Sequence, residues 1–330
     1  MTFETVLIAA LSAVLILLAT ISTVVTARIN RLHPPEGELV AIAAGIVHMA
    51  ERRPKGHAPE ADVVLVHGAS ATLGDQLLAL ADKLALRYRV LAVDRPGQGW
   101  SGRPGGRLDA SPLRQARHIA AALRHRGVER AIVVGHSFGA SVAAALAIEE
   151  ASLVRGLVLV AAASHPWPGG VSWHYRIAAW PILGGLYSFL LAPTLGSLIL
   201  GRGVEAVFRP QAPPPDYVSK AGASRALTPG RFRANAQDVA SLKRHVAALC
   251  RRYQEITTPC VIVTGDADDT VRSSIHSHGL ARDIAGSRLV VLEGVGHMPH
   301  HSHPEAILAA VDEIVARTSK TRTLAPSERG

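Results

Sequence analysis

The sequence predicts an α/β fold: a mostly parallel central sheet with helices on both faces, a helical cap inserted into it, and one N-terminal transmembrane helix. Three observations carry this. Short β-rich apolar runs recur along the chain with helical segments between them, the pattern of a parallel sheet covered on both faces. Between Ala163 and Pro259 that rhythm stops for roughly ninety residues rich in proline, glycine, tryptophan and leucine, without a convincing strand. At the N-terminus, the twenty residues from Val6 to Val25 contain no charge and no proline.

Taken in chain order, the first element is that apolar run. At ~1.5 Å per residue it spans about 30 Å, the hydrocarbon thickness of a bilayer. A secretory signal peptide is the competing reading, with "VTA" before Arg28 as a weak cleavage site. Its n-region should be positive and its apolar run shorter, whereas "MTFET" carries only Glu4. A retained single-pass anchor fits better. Arg28, Arg31, Arg52, Arg53 and Lys55 follow it, so the positive-inside rule places the main domain in the cytoplasm.

Beyond "HPPEG", the runs "ELVAIAAG" and "IVHMAERR" with Gly45 between them suit an opening antiparallel pair. "ADVVLVHG", "YRVLAVDRPG", "RAIVVGHS", "VRGLVLVAAA", "PCVIVTGD" and "SRLVVLEGVGH" continue as strands, with helices expected over 73–86, 112–125 and 138–150. The resulting organisation is an anchor over 1–30, a linker over 31–37, a core over 38–164 and 257–319, a cap over 165–256, and a polar, disordered tail over 320–330. Within the cap, residues 178–200, "AAWPILGGLYSFLLAPTLGSLIL", are uncharged and long enough for a second span. Pro181, Pro193 and Gly184-Gly185 suit broken helices better.

Composition narrows the partners. The 330 residues are 48% hydrophobic with a formal net charge of +9. Aromatics are only 4%, and no long basic run, zinc-finger spacing or RNA-binding motif appears, so nucleic acid is disfavoured. An anionic membrane surface is the better counterpart for basic residues beside an anchor. Cys250 and Cys260 form no metal-ligand pattern and read as two free, buried thiols.

The chemistry centres on "AIVVGHSFGASVAAAL", where Gly135-His136-Ser137-Phe138-Gly139 joins a strand to a helix. G-x-S-x-G in that context presents the serine oxygen above a sheet. A serine needs a base, and His297 in "VVLEGVGHMPH" directly follows the last strand, on the same sheet edge. The imidazole in turn needs a carboxylate. "VIVTGDADDTV" offers Asp266, Asp268 and Asp269, of which Asp268 is preferred, three residues past Gly265 and three before Val271. Backbone donors for an oxyanion are expected from Phe138 and from Ala69 after His67-Gly68, with Ser70 second; each is worth ~3–4 kcal/mol. "HMPHHSH" holds four histidines in seven residues. His297 is committed to the serine, and no metal or other cofactor is expected.

"VLVHGAS", "VDRPGQGWS", "VVGHSFGAS", "VTGDADDTV" and "EGVGHMPHHSHPE" resemble, in order and spacing, the signature segments of the α/β-hydrolase superfamily, over about residues 38–318. The resemblance implies a Ser137–His297–Asp268 triad, an oxyanion hole from Ala69 and Phe138, and a structural role for "DRPGQGWS". Ser137 argues against the branches that use an aspartate nucleophile, and "HGAS" against the triple-glycine esterases. A second membrane span over 178–200 would separate Ser137 from His297, so that segment must begin and end on one side. The expected function is a membrane-anchored serine hydrolase of carboxylic esters, with apolar or lipid-like acyl groups. Thioester hydrolysis, acyl transfer or carbon–carbon cleavage would use the same residues, and a non-catalytic lipid-binding protein of the same fold is the alternative of a different class.

Overall fold

The computed structural model describes residues 2–323. One eight-stranded sheet organises the chain, in the order β1-β2-β4-β3-β5-β6-β7-β8. The strands are β1 (Glu38–Ile42), β2 (Gly45–Arg52), β3 (Asp62–Val66), β4 (Arg89–Val93), β5 (Ala131–His136), β6 (Val154–Val160), β7 (Cys260–Gly265) and β8 (Arg288–Leu292). β1 and β4 both pair antiparallel with β2, and all other neighbours are parallel. The central strands are buried on both faces because helices cover both. Pro112–His125 and Phe138–Glu149 pack on one side, with Val64, Val133 and Leu157 beneath them. The helical segment from Leu73 to Leu84 and the helix Pro304–Thr323 close the other, over Val63, Ile132 and Val261.

The chain order jumps at β3, which has β4 on one side and β5 on the other. At such a switch the loops leaving the carboxyl ends of the strands diverge and leave a crevice. Val66 of β3 lies opposite Gly135 of β5, and Gly265 of β7 opposite Leu292 of β8. These registers bring the loops after β3, β5, β7 and β8 to one edge.

Between β6 and β7 the main regular elements are helices, Trp173–Ala178, Leu183–Leu191, Leu195–Phe208, Tyr217–Lys220 and Pro229–Leu249, joined by irregular stretches. The uncharged stretch 178–200 is not one rod. Its two main helices meet at 82°, with Pro193 in the break. The N-terminal helix spans Phe3–Leu32 and is long and apolar enough to cross a membrane. It therefore takes in Arg31 and Leu32, expected in the linker, because the His33 N–H still bonds the Ile29 carbonyl. The last helix likewise runs through Thr323, into the segment expected as a disordered tail; the rest of that tail lies outside the described residues. Cys260 is buried and its thiol is pushed up to about 12 by burial, but Cys250, expected buried, is only half so; both are free.

Candidate active site

Ser137 sits where β5 turns sharply into the helix Phe138–Glu149, at φ 52° and ψ −116°. A positive φ is uncommon for a non-glycine residue and marks a constrained elbow. The flanking glycines are dictated by contact. A Cβ on Gly135 would lie 2.5 Å from the Gly139 carbonyl oxygen, and one on Gly139 would lie 2.2 Å from that of Val66. Ser137 is pinned from both sides: its N–H donates to the Val160 carbonyl, and its carbonyl accepts from Ala163.

The loop after β8 places His297 against it, with Nε2 3.1 Å from Ser137 Oγ. Its Nδ1 lies 2.8 Å from Asp268 Oδ2. The other carboxylate oxygen of Asp268 accepts the N–H groups of Thr270 and Val271, both at 2.8 Å. All three side chains are buried. An acceptor at Asp268 fixes the proton on Nδ1 and leaves the Nε2 lone pair facing the serine hydroxyl. Such a line can draw a proton from the hydroxyl and stabilise the resulting imidazolium. Asp266 sits elsewhere, accepting the Gly294 N–H and so tying down the base-bearing loop. Asp269 is exposed.

The loop after β3 borders the serine from the opposite side. A Cβ on Gly68 would lie 3.2 Å from Ser137 Cβ and 2.9 Å from His136 Nδ1, so only glycine lets the loop pass. The Phe138 amide is in the first helical turn, where N–H groups have no intrahelical acceptor. The Ala69 amide has no acceptor among the described residues. Ser70, the second choice as a donor, is excluded: its N–H donates to Asn235 Oδ1 at 2.7 Å. Asn235 Nδ2 also donates to Ser70 Oγ, so a cap side chain holds this loop.

Among the supporting residues, Asp238 and Asp75 carry no local sequence signal, whereas Arg95, His136, His300 and His301 lie in the segments quoted above. Fully buried Arg95, from the "DRPGQG" segment, donates to the carbonyls of His67 and Gly68 and pairs with Asp238 Oδ2 at 2.9 Å. Asp238 lies on the cap helix Pro229–Leu249 and also pairs with Arg103. Behind the elbow, His136 Nε2 donates to the His297 carbonyl. Three of the clustered acids and histidines, Asp75, His300 and His301, bring ligand atoms within 4.8 Å of one another, and this set could hold a metal ion. Its donors already satisfy the carboxylate: His301 and Tyr217 bond one oxygen, His300 and Gln76 the other. Burial alone would raise the Asp75 carboxyl, but the two imidazoles hold it well below its ordinary range.

A family model described as the alpha/beta hydrolase family matches residues 63–310, a stretch that includes all of these loops. The chain belongs to that family. An uncharacterised Mycobacterium tuberculosis protein is 28% identical over 279 residues, covering 78% of this chain and 75% of its own length. Among solved structures, the enol-lactonase of Burkholderia xenovorans superposes with a TM-score of 0.66 at 20% identity, covering 84% of this chain and 100% of its own. A bacterial membrane phospholipase A gives 0.65 at 22% identity and covers 94% of this chain and 97% of its own. At these identities the two structures attest the fold.

Proposed function

We propose that this hydrolase-family protein is a membrane-anchored serine esterase that cleaves carboxylic esters with apolar or lipid-like acyl groups through an acyl-enzyme intermediate. The observation that carries the reading is the buried Ser137–His297–Asp268 line, with spacings of 3.1 and 2.8 Å. Ser137 Oγ attacks the ester carbonyl carbon as His297 Nε2 takes its proton. The amides of Ala69 and Phe138 receive the developing oxyanion. On collapse, His297 returns the proton to the departing alcohol. A water then loses its proton to His297, attacks the acyl-serine and releases the acid. Asp268 keeps the proton on Nδ1 throughout and compensates the imidazolium charge.

Two features support a membrane-facing substrate. The N-terminal helix is uncharged from Val6 to Val25, and Arg28 and Arg31 follow, which favours a catalytic domain on the cytoplasmic side. The similar fold of a membrane phospholipase A adds to it. The test is hydrolysis of p-nitrophenyl esters of increasing chain length by the purified protein. Longer acyl chains should be preferred, and Ser137→Ala should remove the activity. A preference for acetate over medium and long chains would contradict the lipid-like substrate. Anchoring is tested separately: carbonate-washed membranes should retain the full chain and release one that begins at Gly37.

A further inference from the structure

Three hydroxyls cover backbone carbonyls at the bend of the cap. Pro193 has no N–H, so the Phe189 carbonyl four residues earlier lacks its helical partner. Ser22 of the N-terminal helix fills the gap, donating to the Phe189 carbonyl at 2.5 Å. Thr194 Oγ1 covers the Leu190 carbonyl, and Ser197 Oγ covers that of Pro193. In water these carbonyls would be hydrated at no cost. In hydrocarbon each needs a protein donor, and hydroxyls commonly supply one at breaks in membrane helices.

The Ser22 contact also fixes a depth. Ser22 lies within the uncharged run, six residues before Arg28, roughly 9 Å along the helix axis on the apolar side. It is fully buried, while most of that helix is exposed. The Leu183–Leu191 helix is therefore held level with the apolar part of the N-terminal helix. Further down, Arg225 Nη1 bonds Asn30 Oδ1 and Trp100 Nε1 bonds the His33 carbonyl, so helix and domain are joined at more than one point.

The surface on this side matches the depth. Ile182 and Leu198 are 85% and 80% exposed, far beyond what packing on the sheet would leave, and Leu183, Leu186, Leu195 and Ile199 are exposed beside them. From Ala151 to Val204 there is no acidic residue, and Arg176 and Arg202 flank the apolar part. An anionic lipid surface complements that charge.

We infer that the bent cap pair Leu183–Leu191 and Leu195–Phe208 is seated in the bilayer beside the N-terminal helix, as a re-entrant element that enters and leaves one leaflet. This rests on the proposed membrane anchoring and goes beyond it, because it places the cap itself in lipid.

The test uses the full chain with Cys250→Ser, reconstituted in phosphatidylcholine vesicles. An environment-sensitive fluorophore is attached at Ile182→Cys, Leu198→Cys, Ile16→Cys or Leu86→Cys, all exposed positions. Lipids brominated in their acyl chains should quench the labels at 182 and 198 to an extent comparable with 16, and leave 86 unchanged. Quenching at 16 with cap labels that respond only to aqueous iodide would overturn the seating and leave the anchor standing. An unquenched label at 16 would remove the anchor and the inference together. Quenching at 86 as well would overturn a seating specific to the cap. The unmodified chain gives a second measurement, since Trp173 and Trp180, 65% and 60% exposed, should lose emission to the same lipids.

Discussion

At the residue scale, each group of the proposed machinery is placed by a strand end rather than by its immediate neighbours. Ser137 follows β5, Asp268 follows β7, His297 follows β8 and Ala69 follows β3, which is why their chain order and spacing are legible in the sequence. Asn235 is not legible there. It meets Ser70 across 165 residues and shows no motif or periodicity. Asp268→Asn should fold normally and lower kcat by about 10⁴-fold, because the imidazole loses its orienting acceptor. Gly68→Ala should lower kcat by about 10²-fold, the order expected when one oxyanion donor is misplaced, since its methyl would press on His136 and Ser137. Initial rates on a soluble ester, beside circular dichroism, check both.

At the scale of elements, the cap helix Pro229–Leu249 is a structural partner of the core. Asp238, fully buried, is shared by Arg95 and Arg103, and Arg95 in turn holds the carbonyls of the loop after β3. Removing one member of a buried pair leaves the others uncompensated, so Asp238→Ala should cost about 3–5 kcal/mol in denaturant unfolding. A loss below about 1 kcal/mol would show that the pair is hydrated. The helical character of the cap and its break near Pro193 follow from composition. The Ser22–Phe189 bond does not, because a hydroxyl in an apolar run gives no sign of which distant carbonyl it will meet.

For the whole molecule, the strand positions and the mostly parallel sheet follow from apolar runs spaced by helices, whereas the polar network beneath the site does not. That network makes stability depend on pH. His67 and His276 are lowered to about 4, the first by burial and Arg95, the second by burial and His165. His136 and His300 are also lowered, chiefly by burial. The folded protein refuses protons that the unfolded chain accepts below about 6.5. Stability is therefore complete above that pH and falls as pH drops toward 4, by on the order of 1 kcal/mol per pH unit for each imidazole. Thermal unfolding in detergent should show Tm declining through this window; a flat Tm would contradict the burial of these rings.

At the centre of the proposed chemistry, Ser137 is a nucleophile activated by His297. The most direct test is intact-mass and peptide mass spectrometry after reaction with a fluorophosphonate. One covalent adduct per chain is expected on the peptide containing Ser137, lost in Ser137→Ala and slowed in His297→Ala. Folded wild-type protein that stays unmodified, or that carries the adduct on another residue, would contradict it.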